Sequence, residues 1–304
     1  MRIVFFGSAP FAVPALEAVK DHVCLVVTQP DQPTGRGMKL RQTAVADKAD
    51  ELGIPVEKPI KARDPEFVGQ IEALQADVMV VAAYGQILSE RLLNATTRGG
   101  INLHGSILPK YRGAAPIQRS IESGDEITGV TLMQMAKGMD TGDIIDIATT
   151  PIGPEETAGE LTPRLANIGA ELLTKWIERI CAGDYPRQEQ DHDQATHAAK
   201  IDRTETILSF DMTAEEAHRK FRAFTPAPGT LLPTRLGRLK LGRVTICPDL
   251  NPGPGVISSV KPELVVGFAD GSLSLVEVQP EGKNRVSGTD FANGARIKPG
   301  DCLS

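Results

Sequence analysis

The sequence predicts an α/β fold in which a mostly parallel sheet, covered by helices on both faces, precedes a smaller domain of short strands. Three features predict it. In the first half, continuous apolar runs alternate with segments of helical periodicity, the pattern of strands buried on both faces. The chain then turns polar: YPRQEQDHDQATHAAK is almost free of large apolar side chains and reads as a linker over the surface. Beyond it, runs such as LKLGRVTI, ELVVGF and SLSLVEV follow one another closely, divided by Gly, Pro and an Asp270-Gly271 turn, which suggests a small barrel or sandwich. A chain of 304 residues is long enough for two such domains, each with its own core.

Residues 2–6 (RIVFF) form the first predicted strand, and GSAP turns the chain into a helix on which Phe11, Ala15, Leu16 and Val19 share a face. GSAPFA contains one glycine, Gly7, so it lacks the G-x-G-x-x-G spacing that lets a backbone approach a dinucleotide pyrophosphate. That argues against a nicotinamide enzyme. Residues 23–28, 78–83 (VMVVAA) and 101–104 (INLH) are the next predicted strands. Ligands of open α/β sheets bind beyond the carboxyl ends of the strands, which points to Tyr84-Gly85 and His104-Gly105. A helix over 158–181 places Leu161, Leu165, Leu172, Trp176 and Ile180 on one stripe and stops at Gly183. A short helix over 214–224 then leads into the strand-rich part.

Hydrophobic content of 41% and charged content of 24% are ordinary for a soluble protein. No run approaches the roughly 18 to 20 apolar residues of a membrane span. Met1 leads into a strand-like run rather than a charged leader, so a cytoplasmic chain is expected. Cys24, Cys181, Cys247 and Cys302 are scattered, without a Cys-x-x-Cys pair or a histidine at ligand spacing, and read as reduced packing residues with no metal. The net charge of -6 is uneven: residues 1–204 hold 21 bases against 28 acids, and residues 205–304 hold 12 against 11. Residues 217–248 contain no acid but seven bases, Arg219, Lys220, Arg222, Arg235, Arg238, Lys240 and Arg243. This is either the footprint of a polyanion or a solvated basic face.

The sharpest signal is INLHGSILPKYRGAAP, residues 101–116. Alternate side chains of a strand point the same way, so Asn102 and His104 share one face while Ile101 and Leu103 pack on the other. An amide and an imidazolium side by side form a donor pair for an oxyanion, as acyl-type transfer requires; the plainer reading is a polar pair satisfying local backbone groups. Downstream, MAKGMDTGDII supplies Asp140 and Asp143. Either could sit beside His104 and orient its ring, or simply close a turn, and the spacing does not choose. No serine or cysteine lies in a nucleophile context, which favours direct transfer to an amine or to water.

INLHGSILPKYRGAAPIQ, with VVAAYGQIL upstream and GMDTGDI downstream, resembles the formyltransferases that use 10-formyltetrahydrofolate. TQPDQPTGRGMKLR, KFRAFTPAPGT and VQPEGKNRVSGTDFANG resemble the branch of that family that acts on methionyl-tRNA. The resemblance implies a Rossmann-like, mostly parallel catalytic domain over 1–188, a linker over 189–204 and an OB-like β-barrel that binds tRNA over 205–304. It implies catalysis by Asn102, His104 and Asp140, with Asp143 left structural. Folate contacts fall on Ser106, Ile107, Leu108 and Pro109 and on Tyr84, Gly85 and Ile87. Contacts to tRNA fall on Arg36, Lys39 and Arg41 in the loop over 29–41, and the barrel suits the basic stretch with Arg222, Arg238 and Lys240. The implied reaction moves the formyl group of 10-formyltetrahydrofolate to the amino group of methionyl initiator tRNA, in a monomer with no metal, DNA or membrane partner. The competing readings are transfer to a small amine, hydrolysis of the same folate, and an RNA-binding protein that has lost catalysis. Ser8, Ala9 and Pro10 depart from the Thr, Pro and acidic residue usual in the family, and Tyr111 stands where some members have Trp.

Overall fold

The computed structural model describes residues 1–34, 38–247 and 249–304. The chain divides into two compact units, the first comprising Met1–Pro116, Ile127–Pro151 and Thr162–Ala199, the second Ile117–Glu126, Ile152–Leu161 and Lys200–Ser304. The chain begins with β1 (Ile3–Gly7), α1 (Val13–Val19), β2 (Val23–Val27), β3 (Gln32–Thr34), β4 (Lys39–Arg41), α2 (Ala44–Leu52), β5 (Val56–Glu57) and α3 (Pro65–Ala73). It continues through β6 (Val78–Ala82), α4 (Glu90–Leu93), β7 (Gly100–His104), β8 (Arg112–Gly113), α5 (Pro116–Ser123), β9 (Ile127–Gln134), β10 (Ile144–Pro151), α6 (Ala158–Ala182) and β11 (His197–Ala198). The last third holds α7 (Ala214–Phe224), β12 (Leu231–Thr234), β13 (Gly237–Cys247), β14 (Ile257–Ser259), β15 (Val265–Gly267), β16 (Ser272–Pro280), β17 (Val286–Ser287) and α8 (Gly288–Gly294).

A seven-stranded sheet ordered β10-β9-β7-β6-β1-β2-β5 forms the centre of the first unit. The strands from β7 to β5 run parallel, and β9 and β10 complete the other edge antiparallel. The sequences IVFFG and VMVVA suit central positions, because β1 and β6 have strand neighbours on both sides and are buried at every residue. Phe6 and Val4 join Met79, Phe67, Ile71 and Leu92 in one core cluster. From β1 the chain steps to β2 on one side and later returns to β6 on the other. The crevice at the carboxyl ends therefore opens beside β1, where such sheets hold their ligands. Helix starts are locally specified: Thr43 accepts from the Ala46 N–H to open α2, and Asp64 accepts from the Glu66 N–H to open α3, with Pro65 first in the helix.

Two segments differ from their sequence reading. Within residues 29–41, β3 and β4 pair as an antiparallel ribbon with Gln32 opposite Arg41. In the stretch read as linker, β11 pairs in parallel with β8, and Gln190 is only 4% exposed. Polar side chains are held there by hydrogen bonds rather than by apolar burial.

In the second unit an antiparallel sheet runs β12-β13-β16-β15-β14, with β17 on β16. Its core joins Leu241, Val244, Phe268, Leu273 and Leu275 with Ala217 and Phe221 of α7. Thr213 and Glu216 form a reciprocal cap at the start of α7. Among the described residues no helix is long and apolar enough to cross a membrane.

Candidate active site

Asn102 and His104 end β7, 9% and 5% exposed. Strand alternation gives them one face, with His104 opposite Thr131 and Asn102 opposite Met133 on β9. The His104 Nε2 lies 2.9 Å from the Tyr111 carbonyl oxygen. A carbonyl only accepts, so Nε2 carries the proton and donates. Nδ1 then faces the Asp140 carboxylate at 3.5 Å, too long for a tight hydrogen bond. Nδ1 is the ring nitrogen left able to exchange a proton with a reacting group. The Asn102 side chain makes no hydrogen bond to any described residue. The amide is therefore free to meet a ligand in the crevice.

Asp140 stands in a left-handed conformation, φ 54°, which Asp tolerates better than most residues. Its Oδ2 accepts from the Gly113 N–H at 2.8 Å. Only glycine fits at 113, where φ is +125° and a Cβ would lie 2.6 Å from the Ala198 carbonyl oxygen. Gln190 fixes the rest of the loop: its Nε2 donates to the Asp140 and Gly142 carbonyls at 2.9 and 2.7 Å, while its Oε1 accepts from Arg112 at 2.6 and 3.1 Å. Asp143 pairs instead with Arg187 at 2.9 Å. Tyr111, Gly113 and Gln190 thus hold His104 and the Asp140 loop in place, and the sequence reading gave them no such part. The first two act through backbone atoms, which leave no side-chain signal, and Gln190 lies in a stretch whose composition looks like linker. Gln190→Ala strands the Asp140 and Gly142 carbonyls in a largely buried place, so a loss of about 2 kcal/mol in stability is expected by urea unfolding. Turnover should fall with it, and unchanged values of both would show that the Asp140 loop holds itself.

The turn after β7 is equally tied. Ser106 Oγ donates to the Lys110 carbonyl at 2.7 Å, and Thr131 Oγ1 donates to the Ser106 carbonyl while accepting from the Leu108 N–H. Ser106 and Leu108 are buried, leaving Ile107 and Pro109 half-buried at the site. On the loop after β6, the Tyr84 ring packs edge-on to Phe6 with centroids 5.2 Å apart, so at the crevice this residue presents backbone. Its carbonyl accepts from Ser8 Oγ at 3.0 Å and Gln29 Nε2 at 2.7 Å. Burial pushes the Tyr84 hydroxyl well above its ordinary pKa. Gly85 and Ile87 are exposed. Ser8 also accepts from the Gln29 N–H at 3.1 Å, so the atypical GSAPFA start joins the ends of β1, β2 and β6.

Of the residues assigned to RNA, Lys39 and Arg41 are exposed on β4, and Arg36 lies outside the described residues. Arg222 is 8% exposed, donates to the Gly153 and Glu156 carbonyls, and has its pKa lowered by burial. Arg219 and Lys220 pair with Glu215 and Glu122. The helical half of the acid-free segment is therefore occupied within its own unit, while Arg238 is exposed and Lys240 half-buried on β13. Among the described residues no group of His, Cys, Asp and Glu is placed to hold a metal.

Comparison with known proteins adds independent findings. A family model described as formyl transferase matches residues 1–177, and one described as formyl transferase, C-terminal domain, matches residues 200–296. The chain is 44% identical over 311 residues to the methionyl-tRNA formyltransferase of Symbiobacterium thermophilum, a match covering 100% of this chain and 95% of that one. It is 40% identical over 307 residues to the enzyme of that name from Thermus thermophilus, covering 100% and 99%. Among solved structures, an N-formyltransferase from Helicobacter canadensis in complex with folinic acid and dTDP-3-aminofucose superimposes with a TM-score of 0.69 at 21% identity, over 90% of this chain and 98% of that one. HypX from Aquifex aeolicus in complex with tetrahydrofolic acid gives 0.64 at 15% identity, over 96% and 47%. At these identities the two structures speak for the fold alone.

Proposed function

Because this chain belongs to the formyl transferase family, we propose that it moves a formyl group from a reduced folate to the amino group of methionyl-tRNA at Asn102, His104 and Asp140. The observation that carries the assignment of residues is the unpartnered Asn102 amide beside a histidine whose Nδ1 faces a carboxylate. The donor, 10-formyltetrahydrofolate, supplies an activated formyl group. Ile107, Pro109, Gly85 and Ile87 would line its place in the crevice, a flat ring against apolar side chains with backbone donors and acceptors nearby. As the amine adds to the formyl carbon, the Asn102 N–H and, in the doubly protonated imidazolium form of the ring, the His104 Nδ1–H stabilise the charge that develops on the formyl oxygen. Asp140 holds the ring in place and accepts a proton from the incoming amine; as the tetrahedral adduct collapses, the bond from the formyl carbon to the folate N10 would break and that nitrogen would take the proton up, leaving as tetrahydrofolate. The Tyr111 carbonyl keeps Nε2 protonated throughout.

Asp140→Asn tests these roles, because it keeps the shape and removes the charge. Turnover is expected to drop roughly 100-fold with tRNA affinity unchanged; equal turnover would remove Asp140 from proton transfer.

The acceptor is the methionylated initiator tRNA, and its phosphates would meet Lys39 and Arg41 on the β3–β4 ribbon, Arg36 in the same loop, and Arg238 and Lys240 on β13. Binding should therefore weaken steeply as salt rises. A Lys39→Ala, Arg41→Ala variant is expected to raise the Michaelis constant for the tRNA with kcat near wild type, and to flatten the salt slope by about two. A slope equal to wild type would make the ribbon a bystander.

A further inference from the structure

The β3–β4 ribbon leaves the sheet at Asp31 and comes back at Gln42, one step beyond the ladder pair of Gln32 and Arg41. One side chain ties these two roots together. Lys58, which follows β5, donates from Nζ to Asp31 Oδ1 at 2.6 Å and to Gln42 Oε1 at 2.5 Å. Gln42 passes the connection on to α2, donating from Nε2 to Asp50 Oδ2 at 2.9 Å. The ammonium is delivered from a fixed point, because Glu57 pairs with Val27 in the sheet and its carbonyl accepts from the Thr28 N–H at 3.0 Å. Next to the roots in sequence, the Thr28 and Thr43 hydroxyls lie 2.6 Å apart, with Thr28 fully buried. Lys58 and Asp31 are 27% and 34% exposed, so their charge-assisted contact is partly shielded from water and stronger than an open surface pair.

What this clasp holds is a pair of free cations. Lys39 and Arg41 are exposed and pair with no acid among the described residues. Strand alternation puts both on one face of the ribbon, with Leu40 and, one step on, Asp31 and Gln42 on the other. A ribbon gripped on the second face presents its bases on the first. Asp31 is also the only acid over residues 29–41, so the Lys58 ammonium offsets the one negative charge that would weaken the field of those bases. We propose that Lys58 is a positioning residue for the acceptor: through Asp31 and Gln42 it sets the angle of the ribbon and leaves Lys39 and Arg41 free for RNA phosphates. The inference rests on the function proposed above and adds to it a residue that need touch neither substrate. Held bases bind better than loose ones, because less conformational freedom is left to lose on binding.

The test uses the full chain, with methionyl initiator tRNA and 10-formyltetrahydrofolate as substrates, and compares Lys58→Met with Lys58→Arg and Gln42→Leu. Lys58→Met is expected to raise the Michaelis constant for the tRNA roughly fivefold, with kcat and the constant for the formyl donor near wild type. Lys58→Arg, which keeps the charge and the donors, should recover most of the loss. Gln42→Leu, which cuts the clasp from the returning strand, should reproduce it. The readout that separates positioning from mere stability is coupling: added to Lys39→Ala, Arg41→Ala, the Lys58→Met change should have little further effect, because the clasp acts through those bases. A Lys58 that only stabilises the fold would give an independent, multiplying loss, and that result overturns the proposal. So would a wild-type constant for the tRNA in both Lys58→Met and Gln42→Leu, or a raised constant for the formyl donor alone. Wild-type protein that transfers no formyl group to the tRNA would instead refute the function on which the inference rests, a failure visible before any variant is made.

Discussion

His104→Ala is expected to lower kcat by roughly 10²- to 10³-fold, the loss typical of one oxyanion donor, while affinity for the tRNA stays near wild type. The ring is held on both edges, by the Tyr111 carbonyl at 2.9 Å and by Asp140 at 3.5 Å, in a nearly buried position at the end of β7. Such a group is poorly placed to meet RNA phosphates but well placed to meet a formyl oxygen. Asn102→Ala should give a loss of similar size, and the double variant should lose less than the product of the two, because the donors act on one oxygen. Single-turnover transfer separates chemistry from binding here. A His104→Ala enzyme with wild-type single-turnover rate would take the imidazole out of the mechanism.

Phe6→Ala is expected to cost about 3–5 kcal/mol in equilibrium unfolding, the usual loss for a phenyl ring removed from a closed core. Phe6 is fully buried on β1, between β2 and β6, and its ring meets Tyr84 edge-on. The cavity would sit directly beneath the loop after β6, so the Michaelis constant for the formyl donor should rise as well. A loss below about 1 kcal/mol would mean that the sheet collapses around the gap and that Tyr84 is held by other contacts.

Much of the first unit was legible because its strands are buried on both faces and therefore spell apolar runs. RIVFF, VMVVAA and INLH mark β1, β6 and β7 to within a residue or so. The ribbon β3–β4 was not legible, since QPT and KLR carry neither an apolar run nor an alternation longer than three residues. The antiparallel strands β9 and β10 mix Thr, Gly and Asp with apolar residues and were likewise unmarked. Asn102 and His104 stood out because a strand's period of two places them side by side. The choice between Asp140 and Asp143 needs geometry: Asp140 faces the imidazole, and Asp143 pairs with Arg187. Gln190 reaches Asp140 across 50 residues of sequence, a contact no local pattern reports. The charge run over 217–248 misled in its helical half, because Glu122, lying far earlier in the chain, folds back to pair with Lys220.

The central claim is the reaction itself, and the most direct test follows labelled formyl from 10-formyltetrahydrofolate in the presence of methionyl initiator tRNA, uncharged tRNA or free methionine. Label appearing in formylmethionyl-tRNA, and in neither control, is the result expected for a formyl group passed to an amine held through its RNA. Label released as formate at the same rate with or without methionyl-tRNA would contradict it, and would make water the acceptor at Asn102, His104 and Asp140.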